Sequence, residues 1–377
     1  MSENSRTYAM IIKPVSSLCN LNCTYCYYKG KKNLLNIQPS IMPFEVLEEF
    51  TRQNIAMHGS EAVIEFAWHG GEPLLAGLDF FRKAVELQNK YGIGRKISNT
   101  LQTNGTLLND EFCKFFKDNN FLLGVSIDGQ EEIHNFYREN SFSEVMCGIE
   151  FLKKYKIPFN TLTVINNLNS QKPRELYSFL REITDYIQFL PVVEFLPSDY
   201  ELNDGQNFAT PSGIHFSRRD KNITSFSVKP EEWGKFLCEI FDLWIKYDIN
   251  KKHIQIIDAA LENLKGIPCS LCVHNPLCGH SGSLEANGDL YSCDRYAFPQ
   301  YYLGNILNTS LEKLMLLNKE FGFHKIYGLP NECLCCTYVK FCFGGCPKDR
   351  LNGRNYLCNG YKLFFAHVLN YFIKFKS

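Results

Sequence analysis

Three cysteines close to the N-terminus, Cys19, Cys23 and Cys26, carry the most specific chemistry in this sequence. They lie in Cys-Asn-Leu-Asn-Cys-Thr-Tyr-Cys, a CxxxCxxC spacing that begins soon after the apolar run Met10 to Ile12. Three thiolates on one short loop can bind three corners of a cubic iron–sulfur cluster. The fourth iron then has no protein ligand and is open to a small molecule. A zinc site short of one ligand, or part of a disulfide framework, are the alternatives for such a triplet. Zinc motifs usually come as CxxC pairs, and a triplet followed by Tyr27 fits them poorly.

A second concentration of thiols lies far along the chain. Of sixteen cysteines, three fall at or before residue 26 and ten between Cys269 and Cys358. The later spacing is Cys272-x5-Cys278-x14-Cys293, then Cys333-x2-Cys336-x5-Cys342-x3-Cys346, then Cys358. Eight thiols are enough for two fully ligated [4Fe–4S] clusters. Cys269 and Cys335 neighbour this set and could each replace an adjacent ligand. A pair of zinc ribbons is the competing reading, although the long intervals suit it less well than CxxC pairs would. Cys113, Cys147 and Cys238 stand apart in apolar surroundings and read as core residues.

The bulk composition narrows the setting. The chain has 377 residues, 45% hydrophobic and 21% charged, with 40 basic and 40 acidic side chains. That is an ordinary globular composition, long enough for a full barrel plus a smaller module. Balanced charge gives no global field that calls for nucleic acid or an anionic membrane. Residues 1–7 lack an apolar signal segment and no apolar run approaches a membrane span, so a cytoplasmic location is expected. In a reducing compartment cysteines are metal ligands or catalytic groups rather than disulfides.

The elements that must position these thiols follow from periodicity. Short apolar runs alternate with helical segments from Tyr8 to Val193, the pattern of repeated βα units around a parallel sheet. Strands are predicted near Ala9–Lys13, Val63–Trp68, Ile97–Gln102, Leu122–Ile127, Phe159–Val164 and Tyr186–Val193. Helices are predicted near Pro43–Met57, Leu78–Lys90, Asp110–Asp118, Phe142–Tyr155 and Pro173–Ile183, two of them opened by proline. Six such units make an α/β fold, a partial (β/α)6 barrel open on one side, with every strand-following loop on one rim. A connecting loop that could touch substrate follows between about Pro197 and Lys229, with Arg218-Arg219-Asp220-Lys221 inside it. A helix over Glu231–Tyr247 then places Trp233 and Trp244 in a core. Asn287-Gly288-Asp289 reads as a hairpin turn between strands Ser283–Glu285 and Leu290–Ser292.

The polar motifs all fall on that rim. The cysteine loop follows the first strand, and His69-Gly70-Gly71-Glu72-Pro73 follows the second. Gln102-Thr103-Asn104-Gly105, Ser126-Ile127-Asp128-Gly129 and Asn166-Asn167 follow the next three. Two glycines let backbone approach a ligand closely, and an acid pairs with an ammonium. The triplet and this arrangement resemble the radical S-adenosylmethionine (radical SAM) enzymes. In that family the open iron chelates SAM, which the reduced cluster cleaves to methionine and a 5′-deoxyadenosyl radical. The resemblance implies that Gly70, Gly71, Glu72 and Pro73 meet the SAM amino group. It also implies SAM contacts at Ser126 and Arg138, with a solvated surface charge as the alternative for Arg138. Thr103 and Asn104 are candidates for the same pocket or turn formers only.

The cysteine-rich third is similar to the SPASM extension of peptide-modifying radical SAM enzymes. The resemblance, not the spacing, implies a crossed assignment. Cys272, Cys278, Cys293 and Cys346 would hold one auxiliary cluster, and Cys333, Cys336, Cys342 and Cys358 the other. A short gap before Cys358 makes it the least secure of the eight. The expected domains are a barrel over 1–230, a helical connector over 231–268 and a SPASM domain over 269–377.

The likeness narrows further. Cys-Asn-Leu-Asn-Cys-Thr-Tyr-Cys-Tyr-Tyr, Trp-His-Gly-Gly-Glu-Pro, Gln-Thr-Asn-Gly-Thr-Leu-Leu and Gly-Val-Ser-Ile-Asp-Gly resemble the anaerobic sulfatase-maturating enzymes. So do Asn160–Val164, Gln188–Glu194, Asn287–Asp294 and Leu303–Asn305, so the match spans nearly the whole chain. His69 departs from the glutamine of some relatives. The resemblance implies oxidation of a cysteine or serine, in an unfolded Cys/Ser-x-Pro/Ala-x-Arg sulfatase segment, to Cα-formylglycine. Three [4Fe–4S] clusters, SAM as co-substrate and an electron donor such as flavodoxin or ferredoxin go with that activity. Asp294 would be the general base, against a strand-end acid that only caps or solvates. Tyr28 and His69 are candidate substrate contacts or packing. Three rivals remain: a maturase forming thioether crosslinks in another ribosomal peptide, a non-catalytic iron–sulfur electron carrier, and a zinc-binding interaction module.

Overall fold

The computed structural model describes residues 8–29, 40–198 and 222–374. Strands β1 Ala9–Ile12, β2 Val63–Trp68, β3 Lys96–Thr103, β4 Leu122–Ser126, β5 Phe159–Ile165 and β6 Tyr186–Pro191 pair in sequence order, all parallel. Helices Phe44–Ala56, Leu78–Tyr91, Asp110–Asp118, Phe142–Tyr155 and Pro173–Ile183 alternate with them. The last shows why the pattern was readable. Leu176, Tyr177, Leu180 and Ile183 recur at helical spacing and are buried, and Pro173 occupies the first turn. Pro43 instead caps its helix in extended backbone, so the helix starts at Phe44. The short helix Glu131–Tyr137 was not legible, because seven residues give too little periodicity.

The sheet continues past both ends of the barrel strands. Strand β7, His253–Ile254, pairs parallel with β6, and β8, Ser281–Leu284, pairs parallel with β1. Strands β9, Asp289–Tyr291, and β10, Tyr302–Asn305, follow antiparallel, giving a sheet of ten strands among the described residues. The hairpin turn lies where expected, with Gly288 at φ +89°, a left-handed backbone that glycine adopts freely. Because β8 runs parallel to β1, the cysteine-rich third delivers its residues to the same rim as the cysteine loop.

Helix Pro230–Tyr247 packs on the C-terminal helix Cys358–Lys374. A Cβ on Gly234 would stand 2.8 Å from Gly360 Cα, so two glycines set the close crossing that fixes Cys358. Trp233 and Trp244 are buried there. Cys113 is buried too, but Cys147 is exposed and Cys238 only partly buried. Cys147 lies off the buried face of its helix, which is Val145, Gly148, Ile149 and Leu152. Arg218, Arg219 and Lys221 lie outside the described residues. No helix among the described residues is long and apolar enough to cross a membrane.

Candidate active site

The cysteine loop is held to the rim by backbone. Gly71 N–H donates to Ser16 O at 2.7 Å, and Glu72 N–H to Leu18 O at 2.8 Å. Thr24 N–H reaches Tyr137 O at 2.9 Å, and Asn22 N–H the Glu139 carboxylate at 2.7 Å. The close approach made by the two glycines is therefore to the cysteine loop itself. A Cβ on Gly71 would lie 1.9 Å from Leu18 O, an impossible contact, and one on Gly70 would lie 2.8 Å from Ser16 O at φ +122°. Gly71→Ala should displace this loop, costing about 1–3 kcal/mol of stability or more. Iron bound per chain after anaerobic reconstitution should fall with it. Native iron content and an unchanged melting temperature would contradict this.

Glu72 is fully buried, and its carboxylate accepts from Leu74 N–H at 3.1 Å, Thr103 Oγ1 at 2.8 Å and Asn104 N–H at 2.7 Å. It thus ties the β2 loop to the β3 loop. Burial pushes its carboxyl up to about 7 against these hydrogen bonds, from an ordinary value of 4.5. Between those two values the folded chain holds a proton that the unfolded chain has released, so Glu72 makes stability fall as pH rises through this window. Glu72→Gln should remove that part of the slope. Unfolding free energies near about pH 5 and about pH 7 would show it, and an unchanged slope would refute it. Asn104 reaches further: its Nδ2 donates to Asn20 Oδ1 at 2.9 Å and approaches Cys19 Sγ at 3.8 Å.

Arg138 is buried beside the loop rather than solvated. Its Nε donates to Asp128 Oδ2 at 3.0 Å, its guanidinium lies 5.5 Å from the Tyr25 ring centroid, and Tyr25 OH also donates to Asp128. Burial opposes its charge, but Asp128 overcomes that and holds Arg138 well above its ordinary value. Its positive charge is felt at Cys23, whose thiol is raised mainly by burial. Burial likewise pushes Cys19 up to about 11, with the neighbouring charges of Glu72, Cys23 and Cys26 adding to it. Ser126 Oγ accepts from Gln102 Nε2 at 3.1 Å on the same rim.

A second cluster centres on Asp294 and includes residues that sequence reasoning missed. Lys13, the residue after β1, is fully buried and bonds Asp294 Oδ1 at 2.7 Å and Glu285 Oε1 at 3.0 Å. Burial would lower Lys13, but the two carboxylates outweigh it and raise the ammonium above its ordinary value. Tyr27 OH donates to Asp294 Oδ1 at 3.1 Å and stacks on Tyr28 at 4.6 Å. Tyr28 is buried with Lys13 Nζ 4.6 Å from its ring centroid. His69 is half-buried, its Nδ1 accepts from Gly70 N–H at 2.7 Å, and burial lowers its pKa despite the nearby Asp294. Asp294, Tyr28 and His69, far apart in sequence, therefore meet around one lysine. A charged residue closing a buried strand was the signal for Lys13; nothing in the spacing marked Glu285.

The later thiols form two groups. Burial pushes the Cys293 thiol up, and the charges of Cys272, Cys346, Asp294 and Cys278 add to it. Arg295 pairs with Asp349 at 2.9 and 2.7 Å, which draws the end of β9 onto the Cys346 turn. Cys333, Cys336, Cys342 and Cys358 line one hollow with Arg354 and Phe365. Cys269 turns away: its Sγ faces Ala259 O at 3.9 Å and accepts Leu271 N–H at 3.4 Å. Cys335 is exposed.

The arrangement can be set beside known proteins. Residues 14–180 match the Radical SAM superfamily, which implies a [4Fe–4S] cluster and SAM. The thiol triplet fits such a group, with Asn104 against Cys19 Sγ and Gly71 leaving no slack in the loop. The chain is 44% identical to the serine-type anaerobic sulfatase-maturating enzyme of Bacteroides thetaiotaomicron, over 96% of this chain and 89% of that one. It is 35% identical to the cysteine-type enzyme of Clostridium perfringens, over 96% of both. The solved structure of native anSMEcpe with bound AdoMet and Cp18Cys peptide superposes with a TM-score of 0.82 at 33% identity, covering 97% of this chain and 98% of that one. With the rim geometry and this likeness along nearly its whole length, the chain belongs to the anaerobic sulfatase-maturating enzymes of the radical SAM superfamily.

Proposed function

We propose that this protein oxidises a serine or cysteine of an unfolded sulfatase segment to Cα-formylglycine. One observation carries the reading: Tyr27, the residue after Cys26, bonds Asp294, the residue after Cys293. The acid thereby stands between the thiol triplet and the first later group of thiols. Cys19, Cys23 and Cys26 hold one [4Fe–4S] cluster. Cys272, Cys278, Cys293 and Cys346 hold a second, and Cys333, Cys336, Cys342 and Cys358 a third. The mutual charge effects within the first of these quartets and the shared hollow of the other support the crossed assignment.

When bound, the first cluster and SAM supply a radical able to take hydrogen from carbon. Everything else is the work of this chain. Glu72, Thr103, Asn104, Ser126 and Arg138 line the side of the loop where SAM binds, between Gly70-Gly71 and the β4 loop. Asp294, braced by Lys13 and Tyr27, accepts the hydroxyl or thiol proton of the substrate. The electron left on the substrate would pass to an auxiliary cluster. A cysteine would give a thioaldehyde that water hydrolyses to the aldehyde with loss of sulfide. Tyr28 and His69 border the space in which that side chain sits. A barrel over 1–230, a connector over 231–268 and a SPASM domain over 269–377 describe the organisation. A cytoplasmic location and a flavodoxin- or ferredoxin-type electron donor complete the reading.

The test is anaerobic reconstitution followed by dithionite, SAM and a short peptide carrying Ser-x-Pro-x-Arg, its cysteine form or its alanine form. The higher identity to a serine-type relative puts the serine peptide first. An aldehyde trapped from the serine or cysteine peptide, and none from alanine, is expected. 5′-Deoxyadenosine without aldehyde from any of them would overturn the substrate.

A further inference from the structure

Two buried cations in the cysteine-rich third have no carboxylate within ion-pair distance among the described residues. Lys325, on helix Leu311–Tyr327, is fully buried. Its Nζ donates to the carbonyls of Cys272 at 2.8 Å, Val273 at 3.1 Å and Asn275 at 2.5 Å. Arg350, 3% exposed, donates through Nη1 to Gly328 O at 3.2 Å and through Nη2 to Lys325 O at 2.7 Å. The two are thus joined, the guanidinium bonding the carbonyl of the residue that carries the ammonium. Arg295 nearby is different, because Asp349 pairs with it in a two-pronged bridge.

A cation taken out of water is costly unless an opposite charge lies near it. Carbonyls supply dipoles but no net charge. Burial opposes the Lys325 charge, and the groups that favour it are the sulfurs of Cys278, Cys272 and Cys346. Burial opposes the Arg350 charge too, against the Tyr296 phenol and the sulfurs of Cys346, Cys333 and Cys278. Lys325, seated on the Cys272 carbonyl, therefore serves the first quartet, and Arg350, bonded to the Lys325 carbonyl, acts on sulfurs of both.

We infer that Lys325 and Arg350 are built-in counter-charges of the two auxiliary clusters. Lys325 raises the reduction potential of the cluster on Cys272, Cys278, Cys293 and Cys346, and Arg350 raises that of both. The inference deepens the proposed function and rests on it, since it needs a [4Fe–4S] cluster in each quartet. Four thiolates make such a cluster anionic, and one-electron reduction adds a further negative charge. A fixed cation nearby favours the reduced form. At about 10 Å and an effective dielectric near 20, a unit charge shifts that equilibrium by on the order of tenfold. For a one-electron couple tenfold is about 59 mV.

Lys325→Met, Lys325→Arg and Arg350→Met are prepared anaerobically, and their iron and sulfide are counted. Each is then titrated with dithionite in the presence of mediator dyes, and reduction is followed by electron paramagnetic resonance. In Lys325→Met, the ratio of reduced to oxidised auxiliary cluster at fixed potential should fall roughly tenfold for one cluster with iron retained. Lys325→Arg should restore the native titration, and Arg350→Met should shift both auxiliary clusters. An unchanged titration in the iron-replete Met variants would overturn the inference. Equal shifts in Lys325→Met and Lys325→Arg would overturn it too, because packing rather than charge would then be responsible. If Lys325→Met loses iron, Arg350→Met decides by the same criterion. A native protein holding only about four irons per chain would instead sink the three-cluster reading beneath it.

Discussion

Asp294→Asn is expected to keep native iron content and native SAM cleavage while product formation falls by about 10²–10⁴-fold. The amide has nearly the shape of the carboxylate, and its oxygen can still accept from Tyr27 OH and Lys13 Nζ, as Asp294 does at 3.1 and 2.7 Å. It cannot take a proton from a substrate hydroxyl or thiol. Cleavage of SAM depends on the thiol triplet, which this substitution does not touch. The ratio of 5′-deoxyadenosine to aldehyde separates the two steps and should rise steeply in the variant. A ratio equal to that of the native protein would remove Asp294 from the chemistry.

Lys13→Met should be the most destabilising single change at this site. Lys13 is fully buried and is shared by two carboxylates, Glu285 with no exposed side-chain area and Asp294 with 15% exposed. Removing one partner of a buried ion pair leaves the other charge uncompensated, at about 3–5 kcal/mol. Here two acids are left facing each other without their common cation. Replacing Glu285 as well removes one of those charges, so Lys13→Met/Glu285→Gln should recover part of the loss. Denaturant unfolding of both variants checks this. Additive losses would mean that the three side chains do not act as a unit. Product formation should fall in both variants, since Asp294 loses the group that fixes its position.

The barrel was legible because its strands and helices are locally consistent. The helix Phe142–Tyr155 was placed to the residue, and Val63–Trp68 likewise, since each has its own period and clear ends. The rim followed from handedness alone, and with it the positions of Cys19, Glu72, Asn104 and Asp128. What spacing could not supply was contact between distant segments. Lys13 meets Asp294 only because β8 joins the sheet beside β1, a pairing between opposite ends of the chain. Lys325 reads as an ordinary helical lysine until the Cys272–Asn275 turn closes over its ammonium. Gly70 and Gly71 mark a close approach of backbone in the sequence, and the segment Ser16 to Leu18 makes one there. Cys147 has apolar neighbours in sequence but is exposed, because neighbours in sequence do not share a face of a helix.

In the proposed oxidation a hydrogen atom leaves the β-carbon of a substrate serine or cysteine held beside Asp294. A peptide deuterated at that carbon is taken through a single anaerobic turnover with SAM and dithionite. Deuterium recovered in 5′-deoxyadenosine, in step with formation of the aldehyde, is the predicted result. Unlabelled 5′-deoxyadenosine together with an unchanged peptide would contradict it.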